Sequence, residues 1–381
     1  MMLCFATCAF GLEALVKEEL QRLGLTVTAT EDARIFFEAD MPGIIKANLW
    51  LRCADRVFIH LHTFPAETFA QLFDGMRAMD WKAILPRDAA FTVTGKGALS
   101  KLASVRDMQS IGKKAIADAM MAAYGYGRCP ETGEAYQVEI GFLRDKATIA
   151  INTSGAGLNR RSYRDLSARA PLRETLGAVM VKLAFYHGNE TLIDPCCGSG
   201  TIAIEAAMIA ARIAPGLKRA FAFDGWTDYT QTALAEREQA LAARRESGFA
   251  HILAYDIDPS MVSMAHRHAR RAEVHGMISF EKQDIVDFEP PMDRGVIVVN
   301  PPYGQRLERE QGFVVDKALA RIRRQKPGFG LYILNGDPTF ESVFGQRADK
   351  RRKLYNGNTQ CQLYMYFRGR NTKGSDSPQL L

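Results

Sequence analysis

The sequence lacks the features that would place it in several large classes of protein. Its seven cysteines are scattered and show none of the paired CxxC or Cys/His spacings that are typical of zinc modules. No low-complexity tract occurs. No basic region precedes the apolar N-terminal stretch, and Glu13 interrupts that stretch before it could act as a signal peptide or a membrane span. The sequence therefore predicts a globular protein of the cytoplasm with no metal ion and no membrane partner.

A large surplus of one charge is missing as well. The chain of 381 residues has 49 Lys and Arg against 43 Asp and Glu, which gives a net charge of +6. A surplus this small fits a polyanionic partner but does not require one, so local clusters of charge decide more than the total. The length is sufficient for two or three domains.

The order of strand-like and helix-like segments divides the chain into three parts. Residues 1–53 and 54–155 are predicted to be two small α+β units, each with short strands and an amphipathic helix. In the third part, residues 156–381, apolar strands alternate with amphipathic helices, which predicts a parallel sheet covered on both faces. A closing hairpin around Asn356 and Gly357 predicts antiparallel strands at one edge of that sheet.

An acidic residue and a glycine-rich loop follow the first strand of this sheet, where ligands of parallel sheets bind. In "LIDPCCGSGT", Asp194 ends the strand, and Gly198 and Gly200 let the backbone approach a ligand at a helix start. The pattern also fits a dinucleotide-binding loop, but Asp194 would repel a pyrophosphate, and the next strand ends only at Asp256 after a long insertion. A cationic ligand such as S-adenosylmethionine reverses that electrostatic argument.

The next two strands also end in aspartates. Asp256 can accept hydrogen bonds from both hydroxyls of a ribose, Ile257 can cover a purine face, and Asp284 can accept from the adenine amine. Each aspartate alone could be a solvated cap of a turn. Because all three carboxylates end successive strands of one sheet, the sequence favours S-adenosylmethionine as the cofactor.

The stretch "VIVVNPPYG" begins as a buried strand that two prolines then stop. The side-chain oxygen of Asn300 and the carbonyl of Pro301 can hold the two hydrogens of an aromatic amine, which turns the amine lone pair toward a methyl donor. Pro301 and Pro302 make this corner rigid, and Tyr303 can stack on the flat base. These four residues are the predicted catalytic residues, and the reaction needs no strong general base.

These motifs together carry a resemblance to a known family. "DPCCGSGT", "DIDP" and "NPPYG" resemble the class I methyltransferases that act on exocyclic amino groups. With "NRRSYR", "APLRETL" and "KRRKLYNGN", nearly the whole chain is similar to the bacterial THUMP-domain RNA methyltransferases that modify guanine N2 of 23S ribosomal RNA. The resemblance also assigns Cys196, Thr201 and Asn300 to the cofactor site. Ser162 departs from the family, which usually has Gly at this position.

The resemblance implies a fold for each part of the chain. Residues 1–53 are expected to form a ferredoxin-like domain and residues 54–155 a THUMP RNA-binding domain. Residues 156–381 are expected to contain a linker and a Rossmann-like class I methyltransferase domain, an α/β fold with an antiparallel edge hairpin. No obligate protein partner is implied.

Clusters of basic residues are the candidate RNA contacts. They lie in "GKGALSKLASVRDMQSIGKKAI", in "RRSYR" and in "DKRRK". The predicted RNA-binding residues are Lys96, Lys101, Arg106, Lys113, Lys114, Arg161, Arg351 and Arg352. A run of charge can equally be a solvated face of the protein. His266 and His268 are expected to lie on a polar helix face without a function.

The resemblance implies methylation of guanine N2 in 23S ribosomal RNA, either as naked RNA or within a pre-ribosomal particle. Methylation of adenine N6 in RNA or DNA uses the same Asn-Pro-Pro-aromatic corner and stays open as an alternative. A non-catalytic RNA-binding assembly factor is a further alternative, which the three cofactor carboxylates disfavour. The sequence does not identify the modified nucleotide, the stage of assembly or the oligomeric state.

Overall fold

The computed structural model describes residues 1–165, 172–302, 309–357 and 359–368. Contacts between residues divide the chain into two units. The first comprises Met1–Arg161 and Ala214–Ala243, and the second comprises Ser162–Ile213 and Arg244–Leu381. The sequence predicted one continuous third domain at 156–381, whereas the structure places residues 214–243 of it in the first unit.

The described residues contain fourteen strands, which form two sheets. The strands are β1 (Met2–Thr7), β2 (Thr26–Glu31), β3 (Arg34–Ala39), β4 (Arg56–Pro65), β5 (Ala90–Ala98), β6 (Ala135–Leu143), β7 (Lys146–Asn152), β8 (Leu192–Asp194), β9 (Ile252–Asp256), β10 (Ile278–Lys282), β11 (Gly295–Val299), β12 (Phe329–Asn335), β13 (Lys350–Asn356) and β14 (Thr359–Tyr366).

Eleven α-helices connect or cover these strands in the described part of the chain. The helices are α1 (Glu13–Arg22), α2 (Met41–Trp50), α3 (Phe69–Arg77), α4 (Trp81–Ile84), α5 (Val105–Tyr124), α6 (Glu174–Leu183), α7 (Thr201–Ala210), α8 (Thr230–Ala242), α9 (Pro259–Arg271), α10 (Arg309–Gln325) and α11 (Phe340–Phe344).

The first unit contains a single seven-stranded sheet in the order β2-β3-β1-β4-β7-β6-β5. All neighbouring strands are antiparallel except β5 and β6, which are parallel. Strand β4 pairs with β1 on one side and with β7 on the other. The two predicted α+β units therefore share one sheet, and the predicted boundary after residue 53 lies just before the strand that joins them.

Most of the segment between α7 and β9, Ala214–Ala243, belongs to the first unit and accounts for the long insertion seen in the sequence. Its helix α8 contacts α2. The N–H of Gly216 donates to the carbonyl of Leu49 over 2.9 Å. The buried guanidinium of Arg219 donates to the carbonyls of Ser154, Ala156 and Gly157.

The second unit contains a seven-stranded sheet in the order β10-β9-β8-β11-β12-β14-β13. The first five strands of this order are parallel, and β14 and β13 form an antiparallel hairpin at one edge. The side chains of Ile193, Ile297, Val299, Leu331 and Ile333 are fully buried in its core. This arrangement confirms the predicted α/β class. The strand order reverses between β8 and β11, where a ligand of such a sheet binds.

Candidate active site

The glycine-rich loop after β8 lies at this point of reversal. Gly198 has a φ of 51° and Gly200 a φ of 82°, so both occupy the left-handed region that favours glycine. A Cβ at Gly200 would lie 2.9 Å from the Cβ of Ala265 on α9, which is closer than packed carbon atoms come. Helix α7 begins directly after this loop at Thr201, with free N–H groups at its first turn.

Asp194 at the end of β8 carries the least satisfied polar atom of the site. The residue is 1% exposed, and Oδ1 accepts a hydrogen bond of 3.3 Å from the N–H of Cys196. Its Oδ2 is buried without a hydrogen-bond partner among the described residues. Burial raises the pKa of Asp194 well above its usual range, and the nearby Asp256 raises it further, although the Cys196 hydrogen bond lowers it. A ligand with a positive charge would satisfy this carboxyl and favour its ionised form.

Asp256 at the end of β9 holds the loop that Asp194 borders. Its Oδ2 accepts from the N–H of Gly198 over 2.8 Å, and its Oδ1 accepts from the N–H of Asp258 over 3.0 Å. The carboxylate is half-buried and retains lone pairs for further donors, since each oxygen accepts one of these bonds. Ile257 is 60% exposed, so its apolar side chain is available to cover one face of a purine.

Asp284 follows β10 and is half-buried. Its Oδ1 accepts a hydrogen bond of 2.9 Å from the N–H of Val286, whose side chain is 37% exposed. The sheet places the ends of β8, β9 and β10 side by side in parallel register. The three predicted cofactor aspartates therefore follow adjacent parallel strands at the same edge of the sheet.

The corner after β11 places Asn300 beside this loop in the sheet order, because β8 and β11 are neighbours. Asn300 is half-buried, and its Oδ1 is buried without a hydrogen-bond partner in the described parts of the chain. A buried amide oxygen that accepts nothing from the protein is costly unless a ligand donates to it. Pro301 is buried and Pro302 is half-buried. Tyr303 lies outside the described residues.

Two other predicted cofactor residues have structural contacts of their own. Thr201 is buried, and its Oγ1 accepts a hydrogen bond of 2.6 Å from Nη2 of Arg164. Cys196 is half-buried against the apolar core. Burial raises the pKa of the Cys196 thiol well above its usual range, and Asp194 adds to that effect, so the thiol stays neutral.

A polar network that the sequence interpretation missed supports the glycine-rich loop. His268 on α9 is fully buried, and its Nδ1 lies 3.1 Å from the carbonyl oxygen of Ser199. Its Nε2 lies 3.6 Å from Oδ1 of Asp165, and Oδ2 of the same carboxylate accepts from Nε of Arg267 over 2.8 Å. The prediction of a polar helix face was wrong for His268, because helix periodicity alone does not show that α9 turns this residue toward the loop.

Most of the lysines predicted to bind RNA are paired with glutamates. The pairs are Lys96 with Glu139 at 2.9 Å, Lys101 with Glu67, and Lys113 with Glu131 at 2.7 Å. Lys113 also donates to the carbonyl of Phe91 over 2.5 Å. Arg106 and Lys114 on α5 are exposed, and neither lies within ion-pair distance of an acidic residue in the part of the chain that the structure describes. These two residues are the exposed cations of that segment for which the described residues provide no ion-pair partner.

The arginines of the other two segments differ in exposure. Arg161 is 2% exposed, and its guanidinium donates to the carbonyl of Arg52 over 2.6 Å. This burial corrects the prediction that Arg161 contacts RNA and gives it a structural role instead. Arg351 is half-exposed and pairs with Glu341 on α11, whereas Arg352 is half-buried on β13.

Ser162 occupies a backbone conformation that explains why the family usually has Gly at this position, and nothing in the structure explains the serine. Its φ is 63°, in the left-handed region where a side chain is strained and glycine is not. Its carbonyl accepts a hydrogen bond of 3.1 Å from Arg271 on α9. The sequence alone could show that Ser replaces the usual Gly, but it could not show the φ of this residue.

Comparison with known proteins identifies the family. An RMKL-like methyltransferase domain matches residues 161–365, an RlmL ferredoxin-like domain matches residues 4–58, and a THUMP domain matches residues 66–152. The chain belongs to the RMKL-like methyltransferase family. The resemblance seen in the sequence is thereby confirmed, and the protein is a methyltransferase with a THUMP domain.

Individual relatives extend over nearly the whole methyltransferase. YpsC of Bacillus subtilis strain 168, provisionally named an RNA methyltransferase, is 38% identical over 369 residues, which are 95% of each chain. The crystal structure of SMU.472, provisionally described as a methyltransferase and complexed with S-adenosylhomocysteine, has a TM-score of 0.91 at 35% identity and covers 97% of this chain and 98% of that one. A Listeria monocytogenes protein described as a predicted N6-adenine-specific DNA methylase has a TM-score of 0.90 at 39% identity, covering 97% and 96%.

The described residues show neither a metal centre nor a membrane-spanning helix. No group of three or more His, Cys, Asp or Glu side chains there is arranged to hold a metal ion. Within the same residues, no helix combines the length and apolar character needed to cross a membrane.

Proposed function

We propose that this methyltransferase transfers a methyl group from S-adenosylmethionine to the exocyclic N2 of a guanine in 23S ribosomal RNA. The substrate is the naked RNA or a pre-ribosomal particle. S-adenosylmethionine supplies the methyl group on an activated sulfonium leaving group. The relative crystallised with S-adenosylhomocysteine supports this cofactor, and the THUMP domain supports an RNA substrate.

The residues around the glycine-rich loop fit such a cofactor. The buried Oδ2 of Asp194 has no donor in the described structure, as expected of a group that awaits a cation. Gly198 and Gly200 leave the backbone accessible, and Asp256 and Asp284 have lone pairs for the ribose hydroxyls and the adenine amine. The exposed Ile257 offers an apolar surface to the purine. Cys196 and Thr201 shape the loop.

The observation that carries the proposed chemistry is the unpaired oxygen of Asn300. The lone pair of an aromatic amine is conjugated with its ring and attacks poorly until it is localised. Two fixed acceptors, the Asn300 Oδ1 and the Pro301 carbonyl, would bind its two hydrogens and stabilise the positive charge that develops on nitrogen. Proximity to the methyl donor supplies much of the remaining rate, and the proton leaves after transfer. A base inside a helix would have to be flipped out to reach this corner.

Adenine N6 is the second candidate for the methylated atom. The corner accepts any aromatic amine with two hydrogens, and the Listeria monocytogenes relative is described as acting on adenine N6 of DNA. The THUMP domain favours RNA over DNA as the substrate. Guanine N2 is preferred because the "KRRKLYNGN" segment and the domain order resemble the guanine-N2 branch.

The test uses unmodified 23S ribosomal RNA transcribed in vitro and Asn300→Ala. The parent should produce N2-methylguanosine in nuclease digests, and the variant should lose about a hundredfold or more in methyl transfer, as expected for one lost preorganised dipole. Calorimetry with S-adenosylhomocysteine should show nearly unchanged affinity. Asn189→Ala, at an exposed loop residue before the amino end of β8, is the matched control and should retain full activity. N6-methyladenosine as the sole product would reject the guanine assignment and keep the role of Asn300.

A further inference from the structure

The carboxyl edge of the second sheet divides into two halves. The aspartates assigned to the cofactor follow β8, β9 and β10, which leaves the ends of β11 and β12 for the base to be methylated. Val299 on β11 pairs with Ile333 on β12. Asn300 follows Val299 by one residue and Asn335 follows Ile333 by two, so both lie at the same end of neighbouring strands. Neighbouring strands are about 5 Å apart, so Asn335 is close to the proposed acceptor corner.

A buried carboxyl, which the proposed chemistry does not use, lies beside Asn335. Asp316 on α10 is 5% exposed, and its Oδ1 accepts a hydrogen bond of 3.3 Å from Nδ2 of Asn335. Asn335 is 2% exposed and is fixed in turn, since its Oδ1 accepts from the N–H of Asp337 over 2.8 Å. The amide therefore orients the carboxyl of Asp316 at this end of the sheet.

Among the described residues, the group that acts electrostatically on Asp316 is an acidic one. Asp337 after β12 raises the pKa of Asp316, and Asp316 in turn raises the pKa of Cys196 in the glycine-rich loop and of Tyr364 on β14. No Lys, Arg or His lies within ion-pair distance of the Asp316 carboxylate in the described ranges. A buried carboxyl without a cation is unfavourable in its ionised form. A ligand that donates hydrogen bonds to the carboxylate would stabilise that form.

Guanine and adenine differ in what they offer to such a carboxylate. The edge of guanine that bears N2 has two adjacent donors, N1–H and the N2 amine. Adenine has one donor, the N6 amine, beside the N1 acceptor. An ionised carboxylate only accepts hydrogen bonds, so it matches guanine and repels the N1 lone pair of adenine. A neutral amide has both a donor and an acceptor and matches adenine instead.

We propose that the carboxylate of Asp316, held by Asn335, accepts a hydrogen bond from the ring N1–H beside the reacting N2 amine of the target base and so selects guanine over adenine. The inference rests on the proposed function and names the residue that determines its specificity. Asn300 and Pro301 would accept from the reacting amine in either base, whereas Asp316 distinguishes the neighbouring ring atom. The site thus separates the chemistry of methyl transfer from the choice of base.

The experiment compares the parent with Asp316→Asn on two RNAs. The first is the 23S ribosomal RNA transcript, and the second carries adenine in place of the guanine that the parent methylates. Asp316→Asn should lower kcat/KM for guanine about ten- to a hundredfold, as for a lost hydrogen bond to a charged group, and should raise methylation of the adenine transcript. S-adenosylhomocysteine affinity should stay within about twofold of the parent's. Glu246→Gln, an exposed carboxyl before the amino end of β9, is the control.

The pH profile of the parent tests the same inference without a variant. Burial, and then Asp337, raises the pKa of Asp316 to about 7. The parent's kcat/KM for guanine should therefore rise as the pH passes through about 7 and level off above it, and the profile of Asp316→Asn should be flat there. A flat parent profile between pH 6 and 8 would overturn the assignment even if the variant fails to fold.

The outcomes separate this inference from the proposed function. N2-methylguanosine from the parent with an unchanged kcat/KM and pH profile in Asp316→Asn would overturn only the role of Asp316. N6-methyladenosine from the parent would overturn both. Reduced activity in Asp316→Asn on both RNAs to the same degree would indicate a structural role and would also reject the selection of guanine.

Discussion

Replacing Asp316 by Asn should stabilise the protein at alkaline pH, although it impairs the proposed reaction. Burial and the neighbouring Asp337 raise the pKa of Asp316 from its usual value of 3.8 to about 7 in the folded protein. Folding is favoured while the carboxyl is protonated, below pH 4, and that stability is lost as the pH rises through about 7. Each pKa unit corresponds to 1.36 kcal/mol, so ionisation costs about 4 kcal/mol once the pH exceeds the folded pKa.

The variant keeps the acceptor oxygen that Asn335 binds and removes only the charge. Linkage then gives Asp316→Asn a gain in unfolding free energy that is about 2 to 3 kcal/mol larger at pH 8 than at pH 5. The assay is urea unfolding of parent and variant at both pH values, with far-ultraviolet circular dichroism as the signal, because all three tryptophans belong to the first unit and Asp316 belongs to the second. Glu246→Gln should show no such difference because this residue is exposed. An equal effect of Asp316→Asn at pH 5 and pH 8 would refute the reasoning, since it would mean that the carboxyl titrates alike in both states.

Three further predictions concern the cofactor loop, the backbone and the RNA. Asp256→Ala should weaken S-adenosylhomocysteine binding about a hundredfold in calorimetry, because both ribose bonds and the bond to Gly198 are lost, and RNA affinity should not change. An unchanged affinity would remove Asp256 from the site. Ser162→Gly should raise the unfolding free energy by about 1 kcal/mol, because its φ of 63° strains a side chain; a loss of stability in urea unfolding would contradict this. Arg106→Glu with Lys114→Glu should weaken RNA binding and flatten its dependence on salt, and binding equal to the parent's would identify both as solvated surface residues. Lys113 is unsuitable for that test because its ammonium group also binds Glu131 and the Phe91 carbonyl.

The second sheet could be predicted because its signals are local. Each of its five parallel strands is a short, largely apolar run with Asp or Asn at its end or within two residues after it, and the helices between strands have their own periodicity. The Asn356-Gly357 pair is an equally local signal, because Asn-Gly favours a tight hairpin turn. In the structure Gly357 has a φ of 64°, as such a turn requires. Strand β4 escaped detection because it alternates poorly and contains His60 and His62, so its pairing with β1 and β7 decides its structure more than its own pattern does.

The hydrogen bonds and ion pairs that support the site could not be predicted, because they join residues that are far apart in the sequence. Arg267 and Asp165 are 102 residues apart, and no spacing rule joins them. His268 belongs to a helix rich in polar residues, and only the packing of α9 on the loop buries it. The prediction that Lys96, Lys101 and Lys113 face RNA failed to foresee their glutamate partners, of which one lies on strand β6 and two lie in loops. Clusters of charge in a sequence show composition, whereas pairing is a property of the fold.

The two halves of the carboxyl edge follow one physical principle. Asp194 and Asp316 are both buried carboxyls whose pKa is raised, and neither has a cationic partner among the described residues. Protein stability alone would select against such groups, because an apolar or amide side chain of similar size avoids the cost of ionisation. A cationic ligand at Asp194 and a ring N–H donor at Asp316 would each offset that cost only when bound. The same burial that weakens the free protein would then make each carboxyl selective, since the energy recovered depends on a ligand of the right charge or hydrogen-bonding pattern.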